Sequence, residues 1–472
     1  MSLWKDWLKA VLVLRPACSY GRTFLWMLLT LAALCCRSDN AGVTSFVRAL
    51  TFSGKAYKSF LHLFHSDALK LDVLTGCCLR LCLTLFRPFE VGSHLVFLAD
   101  GIKAPKEGRK MPGVKLLHQQ SAGNTKPEYI MGHSMQAISL LVHAAPGQVA
   151  AVPLVSRIHE GLVFSNRDST TLLDKLVALL LSLTSVCKRK VLLIADAYYA
   201  SAKVINPLLA DGHHLLTRAK SNAVAYLPVP APASRRIGRP KIYGQKVLLK
   251  DLAKDENAFT SAPSPVYGEN NVMVRYRVMD LMWRPVGRAV RFVIVNHPQR
   301  GTIFLLCTDL TLDPLQILQL YGYRFKIELG FKQAINVLGA HAYHFWMSDM
   351  KPVRRGNGDQ YLHKASPDYR AGISRKLRAY HVHVQLGCIA QGLLQHLAIN
   401  HTAEVWRSFR SWLRTMNEAM PPSELVVANA LRTGLPGFFA VCDLAPGLKK
   451  LVETYRRSDS HWAPHEGLRD AA

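Results

Sequence analysis

Two short apolar runs in this chain each stop at an aspartate, and the elements between them limit the folds open to it. His94 to Ala99 (HLVFLA) reads as a strand ending at Asp100, and Lys190 to Ala195 (KVLLIA) as a buried strand ending at Asp196. Between them come a Gly/Lys-rich turn over Gly101 to Gly113 and a short apolar stretch, Val114 to His118. Strand candidates follow over Gln136 to His143 and Val149 to Val155, then a helix over Thr170 to Leu183 with Ser169 placed to cap it. Three strands, a helix and a fourth strand define an α/β chain.

In a ribonuclease-H-like sheet the first and fourth of these strands lie side by side. Their terminal aspartates would then share one space, about 5 Å apart by strand spacing. Downstream, residues 219–303 read as an insertion into that mixed-sheet core. It opens on a basic, proline-rich stretch and continues with alternating segments, Val272 to Met279 and Ala289 to Val295, that suit antiparallel strands. Gly301 to Cys307 reads as one more strand and Asp313 to about Gly339 as one long helix. The expected divisions are a helical, DNA-binding region 1–90, a core in two parts over 91–218 and 304–345, and a helical region 346–455. Residues 456–472 read as a frayed tail. Within the first region, short helices around a turn at Ser53 or Gly54 allow a helix-turn-helix.

Composition narrows the partners. Lys and Arg number 59 against 32 acidic residues, a formal +27 over 472 residues, and such an excess calls for a polyanion, nucleic acid before an anionic membrane. The longest apolar run, Phe24 to Cys36 between Arg22 and Arg37, is shorter than the roughly 20 residues a spanning helix needs. It suits a buried core helix, and no membrane association is expected. None of the ten cysteines forms a CxxC pair, and none joins a histidine at zinc spacing, which points to reduced, buried thiols in a cytosolic protein.

The long helix carries Tyr321, Arg324, Glu328 and Lys332, spaced by three, four and four, on one face. Alone, such a stripe reads as ordinary surface ion pairs. Beside two strand-terminal aspartates it reads differently. Phosphoryl transfer needs the attacking and leaving oxygens stabilised together, which two metal ions about 3.5–4 Å apart achieve when carboxylates hold them. Asp100, Asp196 and Glu328 are therefore the candidate catalytic residues and metal ligands. Basic residues crowd 101–126, with Lys103, Lys106, Arg109, Lys110, Lys115 and Lys126 against Glu107 alone. A second basic loop covers 351–378. Lys103, Arg109 and Lys110 are expected to hold DNA phosphates without reading sequence.

These residues resemble the bacterial insertion-sequence transposases of the DDE class, in the cut-and-paste group named for its YREK signature. The resemblance rests on Leu98-Ala-Asp100-Gly, on Leu192-Leu-Ile-Ala-Asp196-Ala-Tyr-Tyr, and on Tyr321-Gly-Tyr-Arg324-Phe-Lys-Ile-Glu328-Leu-Gly-Phe-Lys332, and it covers roughly residues 90–340. It implies cleavage at transposon ends and strand transfer into target DNA, with two Mg²⁺ (or Mn²⁺) ions per site. It also implies a homodimer on double-stranded DNA in the bacterial cytoplasm, associated with the nucleoid. Tyr321, Arg324 and Lys332 would then contact DNA. The signature puts its lysine seven residues after the glutamate, where this chain has Ile335; Lys332 is the nearest basic side chain, and Ile335 is expected to pack inward.

Several residues have plainer readings. Asp309 suits a helix cap better than a ligand. His133 and His143 read as structural histidines, and Gly238-Arg239-Pro240 as a linker more than a minor-groove hook. Trp283 and Tyr276 are candidates for an aromatic that stacks on a flipped base. The rival functions are a catalytically silent DNA-binding protein derived from a transposase and a ribonuclease-H-like nuclease without strand transfer.

Overall fold

The computed structural model describes residues 2–119, 127–229, 241–441 and 446–457. Five helices open the chain: α1 (Ser2–Leu12), α2 (Gly21–Cys36), α3 (Thr44–Ala49), α4 (Ala56–His65) and α5 (Leu71–Leu85). Strands β1 (Glu90–Val91), β2 (His94–Pro105), β3 (Lys115–His118), β4 (Tyr129–Ala145), β5 (Gln148–Ile158) and β6 (Leu162–Val163) follow. Then come α6 (Leu172–Cys187), β7 (Val191–Ile194), α7 (Ala202–Ala210) and β8 (His214–Arg218). Neighbours run β5-β4-β2-β7-β8, with β4 antiparallel to β2 and to β5, and with β7 parallel to both β2 and β8. This is the mixed ribonuclease-H-like arrangement expected from the strand order. All four residues of β7 are buried, as a central parallel strand covered on both faces requires.

Strand β2 does not end at Asp100. It pairs with β4 as far as Pro105↔Gly132, and its last residues alternate exposed and buried. Gly101, Lys103 and Pro105, which suggested a turn, are simply the outward positions of a strand with one wet face. Helix α6 starts later than expected, because Thr171 and not Ser169 caps it, in a reciprocal capping box with Asp174.

The segment read as an insertion extends the same sheet. It comprises β9 (Val224–Tyr226), β10 (Lys246–Leu248), α8 (Leu249–Leu252), β11 (Thr260–Pro263), β12 (Met273–Trp283) and β13 (Arg288–His297), followed by β14 (Gly301–Cys307). β14 pairs antiparallel with β8, β13 with β14, and β12 with β13, so thirteen strands among the described residues form one sheet. Gly238-Arg239-Pro240 and Lys126 lie outside the described residues.

The expected long helix is two: α9 (Pro314–Gly322) and α10 (Phe325–Asn336), broken at Tyr323 and Arg324. Asp313 caps α9 through the Leu315 and Gln316 amides, while Asp309 closes its own turn on Thr311. The chain ends in β15 (Gln360–Tyr361), α11 (Pro367–Asn400), α12 (Thr402–Ser408), α13 (Glu424–Val441) and α14 (Pro446–Tyr455). Arg456, placed at the start of a frayed tail, instead bridges Phe52.

Helix α11 is the spine of the helical half, packed against β5 on one side and α2, α4, α5 and α13 on the other. Gly387 lets it approach the turn after α10, since a Cβ there would meet the Ala340 Cβ at 2.6 Å. Twelve of the sixteen residues of α2 are buried, which explains the apolar run. Among the described residues no helix is long and apolar enough to cross a membrane. Nine cysteines are free there, and all but the half-buried Cys187 are buried.

Candidate active site

The parallel register of β2 and β7 runs to Leu98↔Ile194, and two further residues bring Asp100 level with Asp196. β7 ends there while β2 goes on, so a gap opens in the sheet beside Asp100. Asp196 turns into it as the cap of a short helical turn, its carboxylate accepting from the Tyr198 amide at 2.9 Å. Its carbonyl accepts from the Thr217 hydroxyl at the end of β8. Asp100 accepts from the Gly101 amide at 2.8 Å.

The break between α9 and α10 delivers the third carboxylate. Arg324 stands at the elbow and donates to Asp100 at 2.7 Å and to Glu328 at 2.8 Å. Burial pushes Asp100 up to about 6; Arg324 and the Gly101 amide oppose this, and the negative charges of Asp196 and Glu328 add to it. Arg324 is held above its usual range, because Asp100, Tyr321 and Glu328 outweigh the effect of burial. Tyr321 and Tyr199 both rise, chiefly through burial; Asp100 and Asp196 add to it for Tyr199, and Asp196 for Tyr321.

Hard carboxylate oxygens around a charge-strained Asp100 suit Mg²⁺ or Mn²⁺ by donor chemistry. Among the described residues, however, no group of three or more His, Cys, Asp or Glu side chains is arranged to hold a metal ion. The guanidinium of Arg324 stands between two of the three carboxylates, where a cation is called for.

The other expected contacts divide. Lys332 is exposed one turn beyond Glu328 on α10. Ile335, expected to pack inward, is 36% exposed, because a step of seven returns it to the Glu328 face. Lys103 sits an odd number of residues along β2 from Asp100, on the opposite face, and donates to the His118 carbonyl. Arg109 is exposed, and Lys110 donates to the Ser348 carbonyl at 2.7 Å. Lys106 turns inward, 4% exposed, onto the carbonyls of His341 and Tyr343. Lys115 pairs with Glu160 and Asp359.

His133 is buried and bonded to the Pro112 carbonyl, and His143 stacks on Phe89, both structural as read. Neither aromatic candidate is poised for a base: Trp283 is 8% exposed in the core and Tyr276 packs beside the apolar face of the sheet. Exposed rings near the elbow are instead Tyr267 and Phe325. Thr217 and Arg218 were missed. They end the third parallel strand, HLLTR, on the edge where strands of such sheets present ligand-binding groups, and that signal was available.

Residues 149–345 match the family model described as the transposase DDE domain. The match takes in Asp196 and Glu328, begins after Asp100 and spans fewer than half of the 472 residues. It supports a transposase of the DDE class. No curated protein matches the chain.

Proposed function

We propose that this chain is a bacterial DDE transposase of the YREK-signature group, which cuts DNA at transposon ends and joins the freed 3′ ends to target DNA. One observation carries the reading. Asp100 on β2 and Asp196 just beyond the end of β7 each lie two residues past the Leu98↔Ile194 pair, and Arg324 ties Glu328 to Asp100. The match over 149–345 supports it.

Asp100 and Asp196 would hold Mg²⁺ or Mn²⁺, with Glu328 completing a set for two ions as Arg324 turns from carboxylate to phosphate. Such ions, when bound, stabilise the attacking and leaving oxygens of an in-line displacement. The chain's own groups do the rest. The planar fork of Arg324 suits two oxygens of one phosphate, so it positions the scissile group beside the aspartates. The Tyr321 hydroxyl lies beside that guanidinium. Lys332, Arg109 and Lys110 would hold flanking phosphates, and Lys103, on the other face of β2, is left out of this set. Water attacks the phosphodiester at each end first, breaking its bond to the 3′-oxygen and leaving a 3′-hydroxyl and a 5′-phosphate; that hydroxyl then attacks a target phosphodiester and expels the target's own 3′-oxygen. The first ninety residues would contribute end binding, and a homodimer would pair the ends in the cytoplasm.

Nicking of a supercoiled plasmid bearing the ends, with Mg²⁺, tests cleavage, and precut ends test strand transfer. Absence of both overturns the proposal. The double pairing of Arg324 favours one second reading, a silent DNA-binding derivative, which binding without nicking would identify.

A further inference from the structure

Helix α11 places three buried glutamines on backbone carbonyls of other elements. Gln385 donates to Leu154 at 2.8 Å and Gln395 to Ala151 at 3.2 Å, both on β5. Gln391, 1% exposed, donates instead to Gly330 at 2.9 Å. Gly330 lies on α10, two residues past Glu328. A buried amide costs free energy unless it is bonded, so each glutamine favours the one arrangement that supplies its carbonyl.

The floor under α10 is made of small groups. A Cβ on Gly330 would stand 3.9 Å from the Ala151 carbonyl oxygen, and Ala334 follows one turn on. Small side chains interlock little and offer few dispersion contacts against a slide. Beside them is a cavity of about 20 Å³, room for about one water, bordered by Ser156 and His341. The Ser156 hydroxyl and both His341 ring nitrogens are buried without a hydrogen-bond partner among the described residues, so neither side chain ties α10 down.

The two ends of α10 are held by other means. At the far end Asn40 donates to the Ile335 and Asn336 carbonyls at 3.4 and 3.5 Å. At the near end the tie is Arg324, through Asp100 and Glu328. On the reading above, Arg324 turns to phosphate as DNA arrives, and that tie is released. Asn40 acts about two turns beyond Glu328, whereas Gln391 acts within the same turn.

We propose that Gln391 is a positioning residue for Glu328, holding α10 on its floor so that the carboxylate stays at the metal edge once Arg324 has turned to DNA. The role rests on the reading above, which supplies the ions. The test is electron paramagnetic resonance of free Mn²⁺ titrated into the full chain on precut end DNA, with the DNA alone as blank. Gln391→Met removes the donor at similar volume and should raise the Mn²⁺ dissociation constant about fivefold, the share of one hydrogen bond. Gln385→Met removes a matching bond to β5; it should lower the melting temperature at least as much and leave Mn²⁺ affinity within about twofold. Single-turnover cleavage should divide in the same way. For Gln391→Met the Mg²⁺ concentration at half-maximal rate should rise about fivefold, with the rate at saturating Mg²⁺ within about twofold. Should Gln391→Met fail to fold, Gln391→Asn, one methylene short of Gly330, carries the same expectation. Unchanged Mn²⁺ affinity in the Gln391 variants, or an equal shift in Gln385→Met, overturns the positioning role alone. No Mn²⁺ bound by the unaltered complex overturns the transposase reading and this role with it.

Discussion

Cations are held in two different ways in this molecule. At the carboxylate edge, Arg324 has charged partners on both sides at 2.7 and 2.8 Å, and its side chain keeps 21% exposure. In the helical half, Arg37 is 3% exposed and rests on the Leu338 carbonyl and the Ser45 hydroxyl, and burial lowers it to about 10. Lys106, just past β2 in the sheet half and fastened to two carbonyls of the loop after α10, is likewise lowered by burial to about 8. An incoming anion can compete for Arg324, because that pairing is ionic and wetted. Nothing from solvent can replace the carbonyls around Arg37. The first kind of cation serves exchange, and the second serves architecture.

The largest expected effect lies at the edge. Asp100→Ala, Asp196→Ala and Glu328→Ala should each lower single-turnover cleavage on the order of a thousandfold, with binding of end DNA within about threefold. A variant that still cleaves near the normal rate removes its residue from the site.

Acid should unsettle the buried seam where β4 and the loop after α10 meet α11 next. Burial, with the Lys106 ammonium adding to it, lowers His133 to about 3 and His341 to about 4. Their folded values lie below the ordinary 6.5, so the unfolded chain takes up protons first. Their stability is fully present above about pH 6.5 and is lost as pH falls toward the folded values. Each pH unit in that window should cost roughly 1.4 kcal/mol per histidine. Urea midpoints at pH 7 and pH 5 measure this, and equal midpoints refute it.

Substitution separates the two kinds of cation more finely. Arg37→Met strands the Leu338 carbonyl and should cost about 2–3 kcal/mol in chemical denaturation. Arg324→Gln should cost under about 1 kcal/mol while slowing cleavage. Equal stability losses would erase the distinction. The smallest effect concerns Ile335, whose exposed place on the Glu328 face predicts a stability change within about 0.5 kcal/mol for Ile335→Lys. In a Lys332→Ala background, recovery of cleavage by Ile335→Lys would show that both positions reach one phosphate.

The site was more legible than the scaffold. The apolar runs before Asp100 and Asp196 announce themselves, and the ribonuclease-H-like strand order then sets β2 beside β7 in register. The stripe of Arg324, Glu328 and Lys332 survived the break in its helix because all three lie at or after the elbow. What could not be read was partnership over distance. Nothing near Arg324 points to a carboxylate 224 residues earlier. Alternation along β12 gave strand character without telling which side faced the core, so Trp283 and Tyr276 were misplaced as stacking candidates. The Phe24–Cys36 run was legible as a core helix, but its partners α11 and α13 were not.

The packing of α1 on the same helix α13 has a consequence in time. Trp4 stacks on Phe438 with ring centroids 4.6 Å apart and donates to the Leu431 carbonyl, 427 residues away. A ribosome adding roughly 5–20 residues per second needs between about 20 and 90 seconds to supply that partner. Through that interval α2, twelve of whose sixteen residues end up buried, waits without its cover from α13, while the sheet that follows can pair as it emerges. Helices α1 and α13 therefore close on each other late, and the nascent core stays incomplete until α13 appears.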